Sequence, residues 1–298
     1  MDTLKLKDGR HLAFEQYGTE NGIPVIHQHG FGDSRLARHP DNNLTIAAGV
    51  RLITVDRPGY GESSPHPGRT FLDWVPDIEQ LANQLKIDKF GVISHSGGSP
   101  YALAIAYKLK DRVNKVVLVS PIGPLNAPGA SETMHKSFGF LLKFGWIKPL
   151  IRIAGKSEAK RANSDIAKYA DNWLKESPET DKILFTNQAL RKMFEDGMKE
   201  AFKQGAAGWV GDIFAGINWG FTPEEIQIPV KIFHGSADEL LFAEMGRRLA
   251  QRLPHASFQL YEGEGHYCIF KHWSEILSTF SQGQEPSTLD KVKYDNSI

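Results

Sequence analysis

The chain is nearly without cysteine. Cys268 is the single one among 298 residues, so an intrachain disulfide is excluded. There is no excess of charge of either sign, since 35 lysines and arginines stand against 35 aspartates and glutamates. That balance provides no global field for nucleic acid or for an anionic membrane surface. No apolar run comes near the roughly 20 residues of a membrane span. The opening, MDTLKLKDGRHLAF, alternates polar and apolar positions where a secretion signal would be continuously apolar. Internal repeats are missing as well. These absences predict a cytoplasmic protein with no nucleic-acid or membrane partner, and they leave its oligomeric state open.

What the chain does have is a hydrophobic content of 41%, enough for a sizeable core in one α/β domain with an insertion. Short β-branched runs alternate with longer amphipathic stretches, the pattern of parallel strands joined by crossover helices. The runs are 24–28, 51–56, 90–94, 115–120, 230–234 and 258–262. Ahead of them, LKLKDGRHLAFEQYG reads as an antiparallel hairpin turning at Asp8 and Gly9. A mostly parallel sheet of about eight strands, flanked by helices, is the predicted fold. After the sixth strand the alternation breaks for about a hundred residues, far beyond an ordinary crossover. The intervening sequence is helical in pattern, which predicts a helical cap over 124–222 on a core made of 1–123 and 223–282. The polar, aperiodic stretch 283–298 predicts a flexible tail.

Between the run ending at Ser94 and a helix opening at Pro100 the sequence is SHSGGS. Small residues crowded there suit a tight strand-to-helix turn that lifts Ser96 clear of the backbone. A serine hydroxyl is a weak nucleophile at neutral pH, so it needs a base, an acid to orient that base, and donors for the oxyanion. Asp238 lies in the turn after the strand in VKIFHGSADELL, and His266 lies in the glycine-bracketed loop of YEGEGHYCIF. HGFGDS (29–34) ends an earlier strand and would aim the Phe31 backbone N–H at the same spot as that of Gly97. Each such donor is worth about 3–4 kcal/mol of transition-state stabilisation.

On HGFGDS, DRPGYGES (56–63), SHSGGS, HGSAD and GHY, in that order, the chain resembles the α/β-hydrolase superfamily in its cap-bearing branch. The likeness covers nearly the whole chain, with Ser94 standing where the family's elbow usually has glycine. It implies a serine hydrolase for a small, mostly apolar ester or related acyl substrate, working through an acyl-enzyme with Ser96, His266 and Asp238. The carbon–carbon bond hydrolases share that triad, and a ligand receptor can be built on the same scaffold. Of the acids near His266, only Asp238 holds the family's position, ahead of Glu239, Glu262 and Glu264. Asp56 and His95 are read as structural, and Ser94 and Ser99 as poorer nucleophiles. Dehalogenases and epoxide hydrolases need a carboxylate where Ser96 stands, and the His-Gly-Gly-Pro-Gly of proline iminopeptidases is absent. The cap's aromatics would close an apolar chamber over Ser96, with Trp209, Phe214 and Trp219 as candidate pocket residues.

Other fragments fail on inspection. His27 and His29 have the spacing of a metal pair but lack the ligands that should follow. GFGDSR and GYGESS lack the third glycine of a dinucleotide fingerprint, and GKS at 155–157 lacks both the first glycine and the strand of a phosphate loop. No cofactor and no metal are expected.

Overall fold

A computed structural model describes residues 1–136 and 147–281; the tail expected over 283–298 lies outside them. β1 (Asp2–Lys5) and β2 (His11–Gly18) form the opening hairpin, with Gly9 in the left-handed region at the turn. β2 pairs antiparallel with β4 (Val50–Val55). From there every neighbour is parallel: β4 to β3 (Ile23–Gln28), then β5 (Phe90–His95), β6 (Val113–Val119), β7 (Val230–Gly235) and β8 (Ala256–Tyr261). The sheet order is β1-β2-β4-β3-β5-β6-β7-β8. The expected mostly parallel sheet of about eight strands is therefore what is found.

The parallel strands are apolar almost throughout because both faces are covered. In β6, Val116 and Leu118 point into one cluster and Val117 and Val119 into the other. Burying each such side chain contributes about 1.5–3 kcal/mol. The first cluster is closed by α2 (Val75–Gln84) and α3 (Ser99–Lys108). The second is closed in part by α11 (Trp273–Ser278), whose Trp273 indole N–H donates to Thr45 Oγ1 on α1 (Asn42–Ala47) at 3.0 Å.

Between β6 and β7 the described residues form α4 (Lys148–Ser164), α5 (Ile166–Lys175), α6 (Glu179–Leu184), α7 (Gln188–Ala201) and α8 (Ala207–Gly216). This is the helical insertion that the broken alternation predicts. α8 docks without side chains in between: the Gly208 N–H donates to the Gly59 carbonyl at 3.1 Å. A side chain at Gly208 would strike the Tyr60 ring, and one at Gly211 would strike the Arg69 guanidinium. Beyond α8 the chain returns to β7, and α9 (Ala243–Arg252) and α10 (Cys268–Lys271) complete the helices used below. The crossover direction reverses at the adjacent strands β3 and β5. A crevice opens beyond their carboxyl ends, at the switch point where open α/β sheets bind ligands.

Candidate active site

Ser96 follows β5 with φ of 50°, in the left-handed region that a serine adopts only at a cost of about 1–3 kcal/mol. The turn is held from both sides. The Ser99 hydroxyl donates to the Ser96 carbonyl at 2.7 Å, which occupies Ser99 structurally. A side chain at Gly98 would collide with the carbonyls of Gln28 and His29, so only glycine lets α3 lie this close to β3. Ser94 is fully buried within the sheet, away from the turn's tip.

β7 carries the chain into a turn that buries Asp238. Its Oδ1 accepts the N–H groups of Leu240 and Leu241, both at 2.9 Å. Its Oδ2 accepts the His266 Nδ1–H at 2.8 Å and faces His234 Nε2 at 3.2 Å. Burial opposes its charge, but His266 and the hydrogen bond from His234 outweigh burial and hold the carboxyl well below the usual carboxylate range. The same pairing acts on His266, where burial disfavours the cation and Asp238 more than compensates, raising its pKa above the ordinary value. Glu239 is exposed, and Glu264 pairs with Lys271. His95 is buried, its pKa pushed down to about 3 by burial and then by His266, and its Nε2–H donates to the His266 carbonyl at 2.9 Å.

Gly97 and Phe31 meet at the elbow: a methyl group on Gly97 would lie 3.2 Å from the Phe31 backbone nitrogen. The loop carrying Phe31 is fixed from below by Arg57, whose guanidinium donates to the carbonyls of His29 and of Gly30, the latter at 3.0 Å. Arg57 in turn pairs with Asp212 of α8 at 2.7 Å. Asp212 also takes hydrogen bonds from Arg69, from Tyr60 at 3.0 Å and from Tyr101 at 2.6 Å. Burial works against the Asp212 charge, and the two arginines overcome it. Nearby, Asp56 is fully buried on Arg35 at 2.6 Å, and Arg35 reaches Glu200 of α7 at 2.8 Å.

Ser96, Phe31 and His266 share a hollow of about 30 Å³ with Asp33, Phe194 and Met198. It adjoins a chamber of about 260 Å³ lined by Trp173, Trp209, Tyr169, Leu240 and again His266. Trp209 lines this chamber, its ring 5.1 Å from that of Phe31. Phe214 and Trp219 require correction. Phe214 lines a separate hollow with Arg69 and Lys148, because five residues along α8 turn it about 140° away from Trp209. Trp219 is buried against Phe71 and Phe221, as part of the core under α3.

Sequence reasoning missed three acids. Asp33 sits in HGFGDS, yet it lines the Ser96 hollow, and burial pushes its pKa up to about 7. Asp181 on α6 accepts the backbone N–H groups of His266 and Tyr267. Asp212 is the third. For the last two no local signal exists, since their partners are brought to them only by docking of the insertion. Among the described residues, no group of three or more metal-binding side chains is gathered.

The family model for the alpha/beta hydrolase fold matches residues 23–272. A non-heme chloroperoxidase of Streptomyces lividans is 26% identical over 286 residues, 93% of this chain and 97% of its own. A proline iminopeptidase of Xanthomonas citri is 36% identical over 107 residues, 35% of this chain and 34% of its own. The solved structure of a thermophilic esterase from Thermogutta terrifontis shares the fold with a TM-score of 0.67 at 21% identity, covering 94% of this chain and 97% of that one.

Proposed function

Because the chain belongs to the alpha/beta hydrolase fold family, we propose that it hydrolyses small, mostly apolar esters through an acyl-enzyme on Ser96. The observation that carries this reading is the shared hollow. Ser96, on its left-handed turn, faces the same space as His266, whose ring N–H is given to an ionised Asp238. Ser96 Oγ attacks the acyl carbon while His266 Nε2 takes its proton. The carbonyl oxygen becomes an oxyanion held by the Phe31 and Gly97 N–H groups. The bond to the leaving oxygen then breaks, and His266 returns the proton to it. Water attacks the acyl-serine with His266 again as base, releasing the acid and restoring Ser96.

The two spaces divide the substrate. A leaving group must sit beside the histidine that protonates it, and the larger chamber is lined by His266 but not by Ser96. We assign the alcohol to that chamber and a short acyl group to the small hollow. In this reading 124–222 is a cap over a core of 1–123 and 223–282, and it excludes polymers by enclosing the chamber. No helix among the described residues is long and apolar enough to cross a membrane. A fluorophosphonate should label Ser96 alone, and Ser96→Ala should abolish turnover of p-nitrophenyl acetate, by about 10⁶-fold as for other triad serines. Labelling at Ser94 or Ser99 would sink the assignment, and equal turnover of long-chain esters would remove the division of the substrate.

A further inference from the structure

His266 is gripped by three elements. Asp238, beyond β7, holds its ring, and His95, at the end of β5, holds its carbonyl. The third contact comes from the insertion: Asp181 Oδ2 accepts the His266 N–H at 2.9 Å, and Oδ1 accepts the Tyr267 N–H at 3.1 Å. No other acceptor among the described residues takes either N–H. Asp181 is 2% exposed, and a side chain at Gly265 would collide with its carboxylate. The turn bearing the histidine is thus shaped to receive an acid from α6.

We propose that Asp181 is a positioning residue through which the insertion sets both the place and the basicity of the His266 imidazole. This rests on the triad reading above. Two backbone N–H groups could be satisfied by a neutral acceptor or by water. The protein instead buries a full carboxylate, at the cost of a pKa pushed up to about 6 by burial, against the pull of His266 and the two N–H groups. The negative charge so placed adds to that of Asp238 in favouring the protonated imidazole. Other ionisable groups also surround this histidine: Asp238 with His234 behind it, His95 from β5, Tyr267 and Cys268 next to it in the chain, Asp33 across the hollow, and Glu239, His135, Glu158, Arg161, Tyr169 and Glu176 around the chamber. Among the described residues of the insertion, Asp181 is the ionisable group hydrogen-bonded to the turn that bears the histidine, so removing its charge tests that contact separately.

The test is the rate at which a fluorophosphonate modifies Ser96 as a function of pH, in the full-length protein and in Asp181→Asn, Asp181→Glu and Asp181→Ala. It needs no knowledge of the natural substrate. Asp181→Asn keeps the size, loses the charge and sets its amide nitrogen against one of the two N–H groups, so the midpoint of its acid limb should fall by about half a pH unit or more. Asp181→Glu should restore that midpoint. Asp181→Ala also frees the turn, and its plateau rate should drop about tenfold or more through misplacement of the ring. Should Asp181→Ala fail to fold, the asparagine and glutamate variants decide the matter. An unlabelled Ser96 in the unmodified protein would remove the triad reading and this proposal with it. Normal labelling with an unmoved midpoint in Asp181→Asn would overturn this proposal alone.

Discussion

Asp238 and Asp181 are both buried and both hold His266, yet one comes from the sheet and the other from the helical insertion, and burial has opposite outcomes for them. The sheet's turn surrounds Asp238 with two backbone N–H groups and two histidines, so its charge is favoured. Asp181, reaching out of the insertion, meets only the backbone N–H groups of His266 and Tyr267 and no buried cation in contact, so burial prevails. The signs on stability differ accordingly. Asp238, held low, contributes stability above its ordinary titration range that is lost as the pH falls towards its depressed value. Asp181, held high, costs stability above its ordinary range, and the cost is complete above a pH of about 6. Burial alone does not fix the charge of an interior acid; the partners it meets do.

The comparison breaks first at the sheet. Asp238→Asn should lower kcat by about 10⁴-fold by misdirecting the His266 tautomer, while Glu239→Gln, exposed on the chamber wall, should stay within about twofold of wild type. Steady-state rates on p-nitrophenyl acetate check both, and a reversal of the two would move the orienting acid to 239. Next comes the joint between the regions. Asp212→Ala leaves Arg57 and Arg69 buried without their counter-charge, which should cost about 3–5 kcal/mol in denaturant unfolding. An unchanged unfolding midpoint would mean that the arginines find other partners. The smallest effect belongs to the chamber wall: Trp209→Ala should shift the preference between small and bulky alcohols by about tenfold, with Phe214→Ala as the control that leaves the ranking alone. Equal shifts in both variants would erase the boundary between the two hollows.

The same two regions differ in how far the sequence discloses them. Strands such as 115–120 are readable because burial on both faces demands consecutive β-branched residues, and β6 lies at 113–119. The chain order of Ser96, Asp238 and His266 is readable because each sits just past such a strand. The insertion offers periodicity but no addresses. In SPETDKIL, Asp181 looks like an ordinary solvated acid in a first helical turn, and its partners lie 85 and 86 residues away. Trp209, Phe214 and Trp219 look alike as aromatics in an apolar segment; the rotation of α8 against Tyr60 and Arg69 separates Trp209 from Phe214, and Trp219, beyond the end of that helix, is taken into the core.

That bare face of α8 has a consequence for descent. Where Gly208 meets Tyr60 and Gly211 meets Arg69, the helix and the loop beneath it fit with no room for even a methyl group, and the Asp212 cluster closes the joint one residue further on. An insertion with larger residues at these two positions would be turned away. Substitutions at 60, 69, 208, 211 and 212 must then be inherited as a set.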